Sequence, residues 1–516
     1  MKRLATAAIL AASTALVPAA LSAQDLTIGL AASTTSMDPQ FYVVGPNSAM
    51  ARNIFDGLVN QDEKQQIQPG LALSWEIVDD TTWEFRLREG VKFHDGSDFT
   101  AEDVVASINR VPLASTNSPS SFMPYVKAIA SVEAVDPMTV RITTSEPTPL
   151  LLNNLSRIAI LPAEDAEVTT EQMNAGEGVV GTGPFRFVSW LPDSEVKLAR
   201  NDAYWAEPAA WENVTFKVFK NNSARVAAML SGDVDMIESI PTADTRRLTE
   251  ADDIKVVSVA GNRVMYLHMD QDREESPFAR DAEGRNPLRD ARVRRALSMS
   301  LNRQAIVDRI MDGQGVPAGQ LVPEGYFGYN ADIAVDPYDP DGARALLAEA
   351  GYPDGFALTF HASNDRYPND SRVAQAIGQF FSRIGIDTSV ETLPASVYFS
   401  RASNLEFSFI MGGAAVETGE ASGVLGPLLE TYGESAGRGN RGRYSNPEFD
   451  ATLIEARQTL DEGKRRELLE AATAIAMSDL GVIPVFYLAN TWALEDGLDY
   501  PGRSDGYTLA HDVRPE

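Results

Sequence analysis

The 516-residue sequence contains no cysteine. That excludes disulfide cross-links, thiolate metal sites and thiol nucleophiles. It also excludes a lipid-modified cysteine at a mature N-terminus. Histidine is nearly absent, with His94, His268, His361 and His511 the whole complement. None of them stand at i, i+4 spacing or join a carboxylate cluster with metal-site spacing, so neither a metal site nor another cofactor is expected. Positive charge is short as well: 44 basic residues face 73 acidic ones, a net charge of -29. Such a surface repels a polyanion, so nucleic acid is not an expected partner. Beyond the N-terminus no run of eighteen apolar residues occurs, and no later segment reads as a bilayer span.

What is present describes a large exported protein. Hydrophobic residues make up 44% and aromatics 8%, enough for large cores, and the length suggests roughly three domain-sized units. The chain opens "MKRLATAAILAASTALVPAALSAQDLTIGL". Lys2 and Arg3 precede an alanine-rich apolar stretch from Leu4 to Leu21, and small residues lead to Ala23. Residues 1–23 therefore read as a cleaved signal peptide. Pro18 and the dominance of alanine argue against a membrane anchor. A soluble, unanchored protein of a Gram-negative periplasm is expected.

In "WEFRLREGVKF", Trp83, Phe85 and Leu87 alternate with Glu84, Arg86 and Arg88, the period of a half-buried strand. Gly90 interrupts it, and Val91 and Phe93 resume the pattern. After a turn at "HDG", Thr100 with Glu102 and Asp103 marks a helix start whose buried face is Val104, Val105 and Ile108. Downstream, "DARVRRALSMSLNRQAIVDRIMDG" predicts one helix ending at Gly313. "DPDGARALLAEAGYPDGFALTFHAS" predicts a helix capped by Asp341 and ended by Gly351, then a strand. "DSRVAQAIGQFFSRIGIDTSVETL" repeats that order, with Gly385 ending its helix. Pro447 suits a first helical position, and two helices then precede a closing apolar strand. Helix followed by strand, twice running, is the α/β pattern of helix-covered sheets.

Several short patterns suggest chemistry. "GESAG" (433–437) matches a nucleophile elbow around Ser435, but a basic glycine loop follows where a helix is required. "GRGNRG" (437–442) lacks the strand and helix that flank a dinucleotide fingerprint. "DPYDPDG" fails as a calcium loop, because positions one and twelve would be Pro337 and Ala348. His94 beside Asp95 has the makings of a general base, yet Asp95-Gly96 is a favourable turn dipeptide. A secreted hydrolase acting through Ser435 or His94 is thus the reading from a different class. No catalytic residue is expected.

"ALSWEIVDDTTWEFRLREGVKFHDGSDFTAEDVVASIN" (72–109) resembles the signature of the family 5 extracytoplasmic solute-binding proteins, the peptide, nickel and oligopeptide receptors of ABC importers. "GTGPFRFVSW" (181–190), "NDAYW" (201–205), "MLSGDVDMIESIP" (229–241), "PLRDARVRRALSMSLNRQAIVD" (287–308) and "YSNPEFD" (444–450) are similar to further blocks of that family. The resemblance implies an α/β, two-lobed periplasmic-binding-protein (Venus flytrap) fold with an extra subdomain in the first lobe. Lobe I would comprise residues 24–268 plus 488–516, with the extra subdomain at about residues 50–180. Lobe II would comprise residues 269–487. "RVMYLHMD" and "GVIPVFYL" would be the strands that cross between them.

The implied function is capture and not turnover. The protein would be the periplasmic substrate-binding component of an ABC importer, taking a peptide or peptide-like solute and delivering it to the membrane permease. A monomer is expected. The alternative is the same role with a non-peptide ligand, such as glutathione, an opine-like compound or another polar metabolite, with nickel ranking lower. A zwitterionic peptide needs a cation for its carboxylate, and arginine suits it through its planar fork. The resemblance places Arg366 where dipeptide-binding relatives hold the peptide carboxylate. Those relatives have a Gly-Trp-x-x-Asp stretch where this chain reads "FSFIMGGAAVETGEASGVL". Glu417 falls at the aspartate, Ala414 at the tryptophan and Gly413 at the glycine before it. "TGEA" is similar to the glutathione-binding branch. Met411 would serve as core or pocket lining, Glu420 as a loop carboxylate, and Thr35 and Ser36 as part of the opposite wall.

Overall fold

One twelve-stranded mixed sheet runs through the computed structural model, which describes residues 25–434 and 436–516. Two long strands, Ile254–Met269 and Ile483–Glu495, lie antiparallel at its middle. On one side the sheet continues through Met236–Glu238, Asp25–Leu30, Asn213–Val218, Glu195–Arg200 and Phe185–Leu191. On the other it continues through Phe409–Ala415, Ala357–Ser363 and Asp387–Leu393. Each half uses a different end of the central pair. Met236–Glu238 pairs with Trp492 to Leu494, whereas Phe409–Ala415 pairs with Arg263 to Met269. Between those ends the register slips, from Ala260 to Val264. Gly261 occupies the slip, where a Cβ would lie 2.5 Å from the Leu488 carbonyl oxygen, so the close backbone approach requires glycine.

Separate cores form on the two halves. Leu26, Ile28, Phe216 and Trp492 pack together in one, and Leu267, Phe360, Phe381, Phe409 and Ile483 in the other. A third core belongs to a four-stranded antiparallel sheet of Ala72–Asp79, Thr82–Leu87, Thr139–Thr144 and Ile129–Asp136. Trp83, Phe85 and Leu87 face into it and meet Val104 and Ile108 from the helix Ala101–Ala114. The alternating segment is therefore a strand, as its period predicts. It does not resume after Gly90, whose φ of 76° turns the chain, and Val91 and Phe93 fill the core from a loop.

Capping decides most other boundaries. The Thr100 N–H donates to Asp103 Oδ2 at 2.7 Å, and the helix starts there as expected. The single helix predicted up to Gly313 is two, Ala291–Met299 and Arg303–Ile310. Asn302 starts the second by accepting from the Ala305 N–H at 2.9 Å. The cap of Pro340–Glu349 is Asp339, which accepts from the Gly342 N–H at 2.8 Å, while Asp341 lies inside the first turn. Pro447 opens the helix Pro447–Gln458 behind Asn446.

His94 is a strut between the small sheet and the "GTGPF" segment. Its Nδ1 accepts from the Gly181 N–H at 3.2 Å, and its Nε2 lies 3.0 Å from the Gly183 carbonyl oxygen. A neutral ring with its proton on Nε2 satisfies both contacts. Asp95 instead accepts from the Ser97 N–H and hydroxyl, at 2.9 and 2.7 Å. The adjacent residues are thus not a dyad. Burial pushes His94 down to about 4. The unfolded chain then binds the extra proton between about pH 6.5 and 4, so His94 stabilises the fold above that window and loses its contribution as the pH falls through it. We expect acidification from pH 7 to 4 to remove on the order of 3 kcal/mol through this group. Urea denaturation of wild type and His94→Gln checks it: the variant should lose less stability on acidification, and equal losses would absolve His94.

Candidate functional site

A cavity of about 730 Å³ opens beside the slipped register, between the two halves of the sheet. Ser239 and Thr242 line it from one half, Gln314 and Asn369 from the other, and Asn262, Arg263, Ala489 and Asn490 from the central strands. Two side chains bridge the halves at its edge. Asn369 Nδ2 donates to Thr242 Oγ1 at 3.0 Å, and Gln314 Nε2 donates to the Ile240 carbonyl at 2.9 Å. The volume suits a small solute held between domains.

Arg366 sits in the loop between the strand Ala357–Ser363 and the helix Asp370–Arg383. Asp370 Oδ2 fixes that loop by accepting the backbone N–H groups of Arg366 and Tyr367, at 3.0 and 3.2 Å. The exposed Arg366 guanidinium lies 5.2 Å from the Tyr367 ring centre. Arg263, on the central strand, is its electrostatic neighbour. Burial lowers Arg263 and Arg366 lowers it further, while Tyr367 and Glu417 pull it back up. Among the described residues no carboxylate forms an ion pair with either arginine.

Gly413 explains the seat of Tyr367. The Tyr367 hydroxyl donates to the Gly413 carbonyl at 3.2 Å, and a Cβ on Gly413 would lie 2.9 Å from the Tyr367 ring. Glu417 is exposed on the loop that follows. The next carbonyl, of Thr418, accepts from Asn153 Nδ2 at 2.7 Å and from Gln61 Nε2 at 3.3 Å, so this loop reaches across to the small-sheet region.

Other expectations need correction. Glu420 is not a solvated loop carboxylate: it is 2% exposed and pairs with Arg465 and the Ser422 hydroxyl. Met411 is 1% exposed and packs into the core with Phe409 and Phe360, so its side chain does not line the cleft. Ser36 is buried, and its hydroxyl donates to Asn174 Oδ1 at 3.0 Å and accepts from the Asp38 N–H at 3.1 Å. It is committed to Asn174 and to its own loop, which Asp38 anchors through two bonds to Arg110, at 3.0 and 2.9 Å. Thr35 is exposed, with Asn47 Oδ1 accepting its N–H at 2.7 Å. Ser435 and residues 1–23 lie outside the described residues.

Sequence reasoning missed Arg52 and Arg157. They line a separate cavity of about 40 Å³ with Tyr125 and Tyr507. Arg157 Nη1 donates to the Tyr507 hydroxyl at 3.0 Å, and its Nη2 is buried without a partner. Arg52 donates to the Ser156 carbonyl at 3.2 Å. Burial, reinforced by Arg157, lowers Arg52 to about 10. Burial also opposes the charge on Arg157, but Tyr507, Tyr125, Glu417 and Asp505 outweigh it and raise that group. The available signal was an arginine inside the apolar run "NNLSRIAIL".

The four histidines do not gather in one place. His268 lies against the Leu428 carbonyl, His361 stacks on Phe407, and His511 meets Tyr204 edge-on. His268 and His361 flank Ile410 from the two neighbouring strands, and His94 and His511 lie outside the sheet. Among the described residues no group of three or more histidine or acidic side chains is arranged to hold a metal ion, and no helix is long and apolar enough to cross a membrane.

Comparison with known proteins agrees with this architecture. The family model for bacterial extracellular solute-binding proteins, family 5 Middle, matches residues 66–436. The chain is 30% identical over 463 residues to the glutathione-binding protein GsiB of Pectobacterium atrosepticum, covering 87% of this chain and 86% of that one. It is also 30% identical over 469 residues to heme-binding protein A of Haemophilus influenzae, covering 85% and 82%. In fold it is similar to HbpA2 from Haemophilus parasuis, with a TM-score of 0.83 at 24% identity over 95% of this chain and 100% of that one. The periplasmic binding protein DppA from Helicobacter pylori, solved with the peptide STSA, gives a TM-score of 0.71 at 26% identity over 95% and 98%. The two-lobed periplasmic-binding-protein fold is thus the fold of this chain, and the chain belongs to the bacterial extracellular solute-binding proteins of family 5.

Proposed function

We propose that this protein captures a zwitterionic peptide or peptide-like solute between its lobes and delivers it to the permease of an ABC importer. One observation carries the ligand class: Arg263 lines the cleft, Arg366 is near enough to lower its pKa, neither has an ion-pair partner among the described residues, and Glu417 lies within electrostatic reach of Arg263. A partly buried cation without a counter-ion is costly, and a ligand carboxylate offsets that cost. Glu417 supplies the opposite charge for an amine. Glutathione and peptides, named for two relatives, both carry a free amine and a free carboxylate, which supports the same class.

The order of the sheet supports the following lobe boundaries. Lobe I takes residues 24–268 plus 488–516, and lobe II takes residues 269–487, with the central strands as the hinge. The separate core between Leu58 and Ile160 supports an extra subdomain at about residues 50–180. The family and the leader-like residues 1–23 support a periplasmic location.

Arg366→Ala should weaken binding of a carboxylate ligand by ~2–5 kcal/mol, the cost of breaking a desolvated charge pair. Titration calorimetry measures it, and unchanged affinity removes Arg366 from the site. Glu417→Gln should weaken ligands with a free amine and spare their amine-blocked analogues. Equal losses for both would make Glu417 a structural residue.

A further inference from the structure

We propose that the cavity at Arg52 and Arg157 is a subsite for a second carboxylate, so that the preferred solute is a peptide-like dicarboxylate with one free amine. This rests on the reading of the cleft given above and narrows it to a ligand class.

Two guanidinium groups enter this cavity without a counter-ion. Arg157 Nη2 is buried and unpartnered, and among the described residues neither arginine forms an ion pair. The carboxylates nearby are already committed. Asp505 pairs with Arg503 at 2.9 Å, and Asp56, which also lines the cavity, accepts from Trp205 Nε1 at 2.8 Å and Thr182 Oγ1 at 2.9 Å. Like charges held together away from water repel, and an incoming anion relieves that repulsion. Burial lowers Arg52 and Arg157 lowers it further.

Size and shape select the anion. At ~10–15 Å³ per water position, a cavity of about 40 Å³ holds about three water-sized groups. That fits a carboxylate and excludes a whole amino-acid residue. A planar guanidinium fork matches a carboxylate edge.

Chain connectivity joins the subsite to the cleft through Glu417. Arg263 is the ladder partner of Ala415, two residues before Glu417. Asn153, four residues before Arg157, holds the carbonyl of Thr418, one residue after Glu417. The charge on Glu417 accordingly reaches both Arg263 and Arg157. A solute with its amine at Glu417 can extend one carboxylate to Arg263 and Arg366 and the other to Arg157 and Arg52. A monocarboxylate peptide leaves the second pair of arginines unneutralised.

Titration calorimetry with isosteric probes tests this. The probes are glutathione and the dipeptides Ala-Glu, Glu-Ala, Ala-Gln and Gln-Ala. Wild type should bind a dicarboxylate dipeptide at least tenfold more tightly than its amide isostere. Arg157→Gln and Arg52→Gln should bring that ratio towards one, whereas Arg366→Ala should weaken both probes of a pair. Equal binding of both isosteres by wild type, or a ratio that survives in a folded Arg157→Gln protein, overturns the subsite. Should the variants not fold, the wild-type ratio alone decides. Monocarboxylate binding that depends on Arg366 but shows no dicarboxylate preference overturns the subsite and leaves the peptide reading standing. Failure of every probe to bind overturns both.

Discussion

The antiparallel pairing of Ile254–Met269 with Ile483–Glu495 is the constraint on which the rest of the molecule depends. Both halves of the large sheet hydrogen-bond to this pair, each at its own end. The halves cannot part without breaking the ladder, yet the register slip at Ala260 to Val264 gives them a place to turn. Gly261 permits the tight backbone there. The C-terminal segment returns to brace it: Asn490 Nδ2 donates to the carbonyls of Arg503 and Ser504, and the Asn262 N–H donates to that of Ser504. The floor of the cleft is thus main chain, and its walls belong to separate cores. A site at such a seam can change width while each wall stays intact.

Charge is distributed with the same economy. The chain carries a net -29, yet the side chains around the cleft include four arginines without ion pairs. Arg225, Arg294 and Arg303 are also buried without ion pairs among the described residues, but they donate to main-chain carbonyls. Other buried arginines are matched by carboxylates, Arg110 by Asp38, Arg465 by Glu420 and Arg503 by Asp505. Those pairs hold loops in place. The unmatched arginines make a local positive field inside an acidic protein, which draws an anionic group to the seam. Under the proposed reading, ligand capture supplies the missing counter-charge, and binding only to the folded, closed form would stabilise that form by mass action.

Features carried by local chemistry were readable from the sequence. The Thr100 start, the Pro447 start and the alternation at Trp83 to Leu87 follow from spacing and capping, while the two central strands were placed by the resemblance. Failures arose where a side chain chose between equivalent local options. Asp339 and Asp341 both fit the cap, and only the geometry at Gly342 separates them. Asn302 divides a pattern that reads as one helix. Met411 suits core or pocket, and the face of its strand that meets Phe360 decides for core. Arg366 and Glu417 were found through resemblance, not periodicity. Arg263 looks like any exposed position of an alternating strand. Arg157 gains meaning from Tyr507, 350 residues away, and from a missing counter-ion, which no linear pattern records.

The central claim is that the unmatched arginines hold the solute. A crystal structure of the complex with whichever probe binds most tightly tests it most directly. The account predicts a ligand carboxylate within hydrogen-bond distance of Arg263 or Arg366 and the ligand amine beside Glu417. Ligand density instead in a third cavity, of about 360 Å³ and lined by Tyr326, Tyr329 and Tyr487, with both arginines unengaged, would contradict it.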